Sequence, residues 1–507
     1  MVELTAALSL ATDLGTGQPM EHALRTSLLA WRAADAIGVS STDRSTILYA
    51  TLLRFLGCTA DATDTAVLAG GDEIAFNAVM APVVMADDRE GLPHLLRHLG
   101  EGLPVARRAG RIAAALSDPG GKARSLSAHC EVGARLATRI GLSPDVTASL
   151  AHAYERWDGK GLPDGLAGEE LPLATRIAVV ARDVDVWSAR AGFDATLDVL
   201  AHRRGKSYDP MVTDVFIAGG AEWLAELEAI DPWDVVIDTE PDPIVEVHLD
   251  RLDDVLTAFA DFADLKSPWF VGHSRGVSDL AASAAAAGGL QAADIRRVRH
   301  AALVHDLGIV GVPSGVWNRR GPLTSEGWER VRQHARLSER ILSRCGALAT
   351  LAADVGAHHE RADGSGYDRG AREPAETAQL IAAADVYRAS TEDRPHRPAM
   401  TTDAAAAMLA EHADAGRLNR TATDAVLAAA GHRPVPPHVE RPAGLTEREV
   451  DVLRLIARGR SNKDAARTLG ISAKTVGTHL EHIYAKAAVT SRAGVTLFAM
   501  EHDLLRP

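Results

Sequence analysis

Apolar residues along this chain recur mainly at intervals of three and four, the spacing of amphipathic helices rather than of half-buried strands. Stretches such as DRSTILYATLLRFLG and SDLAASAAAAGGL carry the pattern, with Gly, Asp or Pro as stops. An all-α protein is predicted. Two breaks punctuate it. GHRPVPPHVERPAG (431–444) reads as an extended linker, since consecutive prolines remove backbone donors and disfavour helix. IDPWDVVIDTEPDPI (230–244) separates two long helical regions, and its VVI run with the following IVEV predicts a short strand pair.

The two long regions repeat each other, and internal repeats decide architecture. EHALRTSLLA (21–30) aligns with GHSRGVSDLA (272–281), and LLRFLGC (52–58) with LVHDLGI (303–309) at the same offset. SAHCEVGARLATRIG (127–141) matches RQHARLSERILSRCG (332–346), AYERWDGKGLP (153–163) matches HHERADGSGYD (358–368), and ARDV (181–184) matches AADV (383–386). The offset falls from 251 to 205 between the second and third blocks, so the first copy carries roughly 46 extra residues, near 65–115. The expected organisation is a degenerate first domain (1–230), a second domain (231–432), a linker (433–444) and a C-terminal domain (445–507).

That last segment reads as a helix-turn-helix. Thr446 and Glu449 make a capping box opening an amphipathic helix. NKDAARTLG ends at Gly470, and Ile471-Ser472 leads into AKTVGTHLEHIYAKA, two short helices joined by a tight turn. Lys474, Thr475, Thr478 and His479 present polar or basic groups to one face, while Val476, Leu480 and Ile483 pack inward. This is the division of labour of a recognition helix in the major groove.

Bulk properties refine the picture. At 507 residues the chain exceeds one core, and two to four domains are expected. Cys58, Cys130 and Cys345 lie far apart without CxxC pairing, which argues for a reducing compartment. The Met1 segment lacks an export pattern and no long apolar run follows, so a cytoplasmic protein without a membrane span is expected. The net charge of −14 counts against nucleic-acid binding, yet residues 441–507 carry more Lys and Arg than Asp and Glu. A basic end on an acidic body suits a DNA-binding module joined to a sensor or enzyme.

The candidate chemistry lies in the second copy. His305-Asp306, His334, His358-His359-Glu360 and Asp385 sit inside Ala/Leu/Val-rich helical stretches. Burying so many polar groups is costly unless something satisfies them together, and a metal pair does. Ligation by His and Asp without Cys suits iron or manganese first, zinc or magnesium next, over a structural zinc cage. Asp306 and His305 are the expected catalytic pair. Two cations about 3.5–4 Å apart can activate a water and neutralise charge at a phosphodiester. In the first copy Arg54-Phe55 replaces His305-Asp306 and Ala153-Tyr154 replaces His358-His359, so no metal pair is expected there. His22, His129 and Asp183 are read as relics. His94, His98 and His202 are read as satisfied core residues. Glu360-Arg361 recurs as Glu155-Arg156 and Asp363-Gly364 as Asp158-Gly159, which favours architecture over catalysis.

On HDLG, HHERADGSGY and AADVYRASTEDRPHR, the second copy resembles the HD-GYP branch of the HD phosphohydrolase superfamily, over roughly 265–430, with the first copy extending it weakly over 15–225. The resemblance implies an all-helical bundle in each copy. It also implies metal ligands at His273, His305, Asp306, His334, His358, His359 and Asp385, with Asp306 bridging two divalent ions. Gly366, Tyr367, Arg394 and Arg397 match the positions that receive a cyclic dinucleotide or other phosphorylated small molecule, and guanidinium forks suit phosphate. The chain departs from the family at Ile309, where a lysine is usual, at Asp368, where a negative charge is expected to face the substrate, and at Trp269, which removes a third-metal carboxylate. Residues 445–500 resemble the LuxR-type four-helix DNA-binding domain. By position, Lys474, Thr475, Thr478 and His479 would contact bases or phosphate, with Asn462, Lys463 and Lys486 on the backbone of double-stranded DNA. The last helix implies a homodimer. Three readings stay open: a regulator that senses or slowly cleaves a nucleotide, a cyclic di-GMP phosphodiesterase, and a catalytically dead dimerisation scaffold with helix-turn-helix output.

Overall fold

The computed structural model describes residues 1–242, 244–372, 374–431 and 442–505. Among these residues there are 25 α-helices and three short 3₁₀ turns, and the only β-type pairings are isolated bridges. The all-α expectation holds. The predicted strand pair does not: residues Pro232–Asp238 form a helix, with Asp231 accepting from the Trp233 amide at 2.9 Å. Pro at the first helical position and an acidic cap outweigh the β-branched VVI run. Most of the Pro-rich linker lies outside the described residues.

The chain forms two compact units, Met1–Leu252 and Asp253–Pro507. The first runs past the expected boundary at 230 because helix Pro232–Asp238 packs against helices Val2–Thr16 and His22–Ile37. Within it the insertion folds into four short helices, Ala62–Ala69, Glu73–Met80, Asp88–His98 and Val105–Leu116. The second unit contains the helix-turn-helix segment together with the second helical bundle.

Several contacts recur at the aligned positions of the two units. The buried Asp13 carboxylate accepts from the Ala23 amide at 3.2 Å, and the buried Asp264 carboxylate from the Ser274 amide at 3.1 Å. Glu21 and Gly272 both adopt left-handed backbone just before the next helix, at φ 79° and 78°. A Cβ on Gly57 would lie 2.0 Å from the His129 carbonyl oxygen, and one on Gly308 would lie 2.1 Å from that of His334. Both glycines are required by the approach of the helix bearing the third-block histidine.

Candidate metal centre and nucleic-acid interface

Five elements of the second unit bring the seven expected ligands together. His273 opens helix His273–Ala287, His305 and Asp306 follow helix Ala292–Val304, His334 sits within Ser325–Arg344, His358 and His359 follow Ala349–Gly356, and Asp385 lies in Glu376–Thr391. They fall into two groups: Asp306, His334, His358 and His359 in one, His273, His305 and Asp385 in the other, with all ligand atoms of a group within 4.8 Å of one another. Among the described residues these are the clusters able to hold a metal ion.

Asp306 joins the groups. One carboxylate oxygen lies 3.3 Å from His334 Nε2 and 3.6 Å from His358 Nε2, and the other lies 3.3 Å from His305 Nε2 and 4.0 Å from His273 Nε2. The local helix geometry fixes the imidazoles. His305 Nδ1 donates to the Ala302 carbonyl at 2.7 Å, and His334 and His358 bond the carbonyls of Val331 and Val355 in the same way. A donating Nδ1 leaves Nε2 as a bare lone pair. Yet His334 Nε2 lies 3.3 Å from His358 Nε2 and 3.0 Å from His359 Nε2. The His334 and His358 lone pairs so placed repel unless a cation or a proton sits between them. His305 Nε2 and Asp306 Oδ1 are also buried without a hydrogen-bond partner. The donor set therefore fits a pair of divalent cations.

Burial would raise the Asp306 pKa, but His305, His334 and His358 hold it well below the usual carboxylate range. Burial and the neighbouring His358 and His334 push His359 well down, to the neutral form a metal requires. His273 differs: against the effect of burial, Glu392 and Asp385 raise it to about 10. Its Nδ1 lies 2.8 Å from Glu392, which orients the ring toward Asp385, 3.1 Å from Nε2. Carboxylates in this position raise the basicity of a ligating imidazole and fix its tautomer. Sequence reasoning missed Glu392. Its signal was the seven-residue interval from Asp385, two helical turns along one face.

The substrate-side residues divide. Tyr367 stacks on His359 with ring centroids 4.5 Å apart, at the lip of the centre. Gly366 serves the loop, since a Cβ there would lie 2.4 Å from the Arg361 amide nitrogen. Arg394 pairs with Glu392 at 3.0 Å and lies 3.4 Å from His273 Nδ1. Arg397 is turned to the carbonyls of Ser390, at 3.2 Å, and Ala389, closing helix Glu376–Thr391. Ile309 is 1% exposed and offers nothing to a ligand. Asp368 corrects the expectation of a repelling charge: its side chain is 4% exposed and paired with Arg336 at 2.6 Å. Glu360 accepts from the Arg369 and Ala371 amides at 2.7 and 2.9 Å, as Glu155 does from those of Asp164 and Gly165, so both brace their loops. His202 is exposed, contrary to its reading as a core residue.

The degenerate copy replaces ligation by ion pairs. His22 meets Asp185 at 2.7 Å, His129 meets Asp61 at 2.5 Å, and Asp183 is held by Arg182, Arg203 and Tyr208.

The helix-turn-helix takes the predicted form. Thr446 and Glu449 close the capping box on helix Glu447–Ala457. Helix Asn462–Leu469 ends at Gly470 with φ +66°, and Ser472 caps helix Ala473–Ala487. Val476, Leu480 and Ile483 are buried; Lys474, Thr475 and Thr478 are exposed and His479 half-buried, on the free face. Lys463 is exposed, and Asn462 accepts from Arg492 at 3.4 Å. Lys486 is tied to Glu449 at 2.7 Å and to the Gly444 carbonyl at 3.1 Å.

An all-helical bundle with two adjoining His/Asp clusters able to hold metal ions, carrying a helix-turn-helix, defines the class. Residues 122–212 and 257–421 match the HD domain family, and residues 443–499 match the bacterial regulatory proteins of the luxR family. The chain belongs to the HD domain family and ends in a luxR-type DNA-binding domain. It is 30% identical to the 3'3'-cGAMP-specific phosphodiesterase 3 of Vibrio cholerae over 423 residues, 81% of this chain and 90% of that protein. A crystal structure of a Vibrio cholerae cyclic GMP-AMP phosphodiesterase (V-cGAP3) superposes with a TM-score of 0.60 at 25% identity, covering 86% of this chain and 98% of the other. The C-terminal segment is 44% identical over 61 residues to the transcriptional regulatory protein MctR of Rhizobium johnstonii, 12% of this chain and 28% of that protein. None of the described helices is long and apolar enough to cross a membrane.

Proposed function

We propose that the chain is a cytoplasmic, homodimeric transcription regulator whose second HD domain, within residues 231–432, holds two divalent metal ions and senses or slowly hydrolyses a phosphorylated nucleotide. The ions, iron or manganese before zinc or magnesium, would supply a Lewis acid and an activated water. His305, Asp306, His334, His358, His359, His273 and Asp385 would hold them. Arg394 and Tyr367 would meet the ligand's phosphate and base, and Arg397 and Gly366 would shape the loops beside them. Lys474, Thr475, Thr478 and His479 would read double-stranded DNA, and Asn462 and Lys463 would hold its backbone.

The observation that carries a switch is the seat of the DNA-binding segment. Arg275, in the helix opened by His273, donates to the Met500 carbonyl and pairs with Asp261 at 2.7 Å. Arg460 reaches Asp393, adjacent to Glu392, at 3.5 Å. Ligand-driven movement of His273 or Glu392 thus bears directly on groups touching the DNA-binding segment. Residues Ala493–Met500 of its last helix are buried within the chain, so dimerisation through that helix would require the seat to loosen.

A second reading, a phosphodiesterase acting on cyclic dinucleotides, is favoured by the relation to the 3'3'-cGAMP-specific enzyme and by the sequestered Asp368 carboxylate. One experiment separates them. Manganese-loaded protein is given 3'3'-cGAMP or cyclic di-GMP, and both hydrolysis and affinity for a selected duplex are followed. A regulator changes DNA affinity about fivefold or more on ligand binding, with turnover slower than that response. Fast turnover with unchanged DNA affinity would favour the enzyme, and no response of either kind would favour the scaffold.

A further inference from the structure

The turn that leads into the helix-turn-helix carries an arginine whose charge is answered from the second helical bundle. Arg458-Gly459-Arg460 links helix Glu447–Ala457 to the Ser461 cap of helix Asn462–Leu469. This turn is pressed against the bundle: a Cβ on Gly459, whose φ is +75°, would lie 2.6 Å from the Pro268 Cβ. Beside that contact Arg460 faces Asp393 at 3.5 Å, the two side chains 46% and 40% exposed. A cavity of about 70 Å³, lined by Pro268, Asp393 and Arg460 among others, adjoins the pair. The guanidinium therefore has room to turn away.

Asp393 is fixed where Arg460 is not. Its other oxygen accepts from the Ala399 amide at 2.9 Å. The Arg394 and Arg397 backbones bond each other at 2.9 and 3.1 Å, which pins the loop that follows helix Glu376–Thr391. Arg458, next to the same turn glycine, is committed to the Leu505 carbonyl at 2.7 Å. Arg460 stands two residues before Asn462 and three before Lys463, the side chains expected on the DNA backbone. In this class of domain the first of the two helices crosses the phosphates. An exposed ion pair in water contributes little, whereas a guanidinium on DNA phosphate makes a charge-assisted bond and releases counterions. Carboxylate and phosphate are thus close competitors, as a tunable contact requires.

We propose that Arg460 is a further DNA-phosphate contact, and that Asp393 of the second bundle competes with DNA for it. Docked, the carboxylate neutralises the guanidinium; released, Arg460 adds one phosphate contact. The inference rests on the reading of the chain as a DNA-binding regulator and names a residue through which its output is tuned. Asp393 directly follows Glu392, which lies 2.8 Å from His273 Nδ1. Movement at the His/Asp clusters is passed to the competitor through one peptide unit.

The test is fluorescence anisotropy of the full chain on a labelled duplex selected from a random pool, across a salt series. Asp393→Asn keeps an acceptor for the Ala399 amide and removes the charge. It is expected to tighten binding about threefold, the contribution of one exposed ion pair. It should also steepen the salt slope by about 1, one phosphate contact more. Adding Arg460→Gln to Asp393→Asn should cancel both gains, and adding Arg460→Lys instead should keep most of the slope. Gains that persist without Arg460 would mean that Asp393 only repels DNA through space, and would overturn the proposal. So would unchanged affinity and slope in Asp393→Asn while Lys474→Ala weakens binding, a result that leaves the DNA-binding reading standing. Failure of both the full chain and Asp393→Asn to bind any duplex would overturn that reading together with the proposal.

Discussion

Glu392 shows how much one side chain outside the ligand set matters. Its contact with His273 Nδ1 at 2.8 Å sets which nitrogen faces the metal position, and its own pKa is held near 2, with His273, Arg394 and Arg388 overcoming burial. Glu392→Gln keeps the shape and removes the charge. Metal affinity is expected to fall about 10–100-fold, read by competition with a chelator, with the helical circular-dichroism signal unchanged. An unchanged affinity would mean that Asp385 alone orients the ring. The cluster itself was legible because adjacent His-Asp and His-His pairs in apolar helices are costly to bury without a shared cation. Glu392 was not, because its role depends on how helix Glu376–Thr391 faces the helix opened by His273. Asp368 misled for a related reason: sequence places a charge, but only the fold brings Arg336 to bury it.

At the scale of elements, the helix-turn-helix was the most readable part, since caps, turn glycine and inward apolar positions are all local. Lys486 is the exception. The resemblance sends it to DNA, whereas the structure ties it to Glu449. Burial would raise the Glu449 pKa, but Lys486 and the Thr446 amide hold it at about 2. A carboxyl with a depressed folded pKa stabilises the domain above its unfolded value, and that contribution is lost as pH falls from about 4.5 through about 2. Lys486→Met should therefore lower the thermal midpoint of the helix-turn-helix at pH 7 and flatten its acid dependence in that window; a midpoint and acid dependence equal to those of the unsubstituted protein would refute the tie. Lys474→Ala, by contrast, should leave the midpoint unchanged and reduce the salt slope of DNA binding by about 1, measured by anisotropy across a salt series. The strand pair expected from VVI and IVEV was the misread element, because a Pro-capped helix start overrode β propensity.

Over the whole molecule, duplication was visible as five collinear blocks, and the structure gives it physical content in the paired Gly57/Gly308 and Asp13/Asp264 contacts. Opaque to sequence was the use of the insertion, whose role emerges only once Phe76 and Met80 are seen over the vacated centre. The two copies therefore solve the same burial problem differently. One surrounds a carboxylate with arginines; the other leaves the His334 and His358 lone pairs facing each other across 3.3 Å.

Those facing lone pairs are what the proposed cation pair would relieve, and metal content tests this most directly. Purified protein, measured by inductively coupled plasma mass spectrometry, should hold about two transition-metal ions per chain. Asp306→Ala, which removes the group shared by both clusters, should reduce this to below one, and Arg54→Gln in the first domain should leave it at two. Protein that retains no metal after purification and reconstitution with iron, manganese or zinc would contradict the two-cation centre.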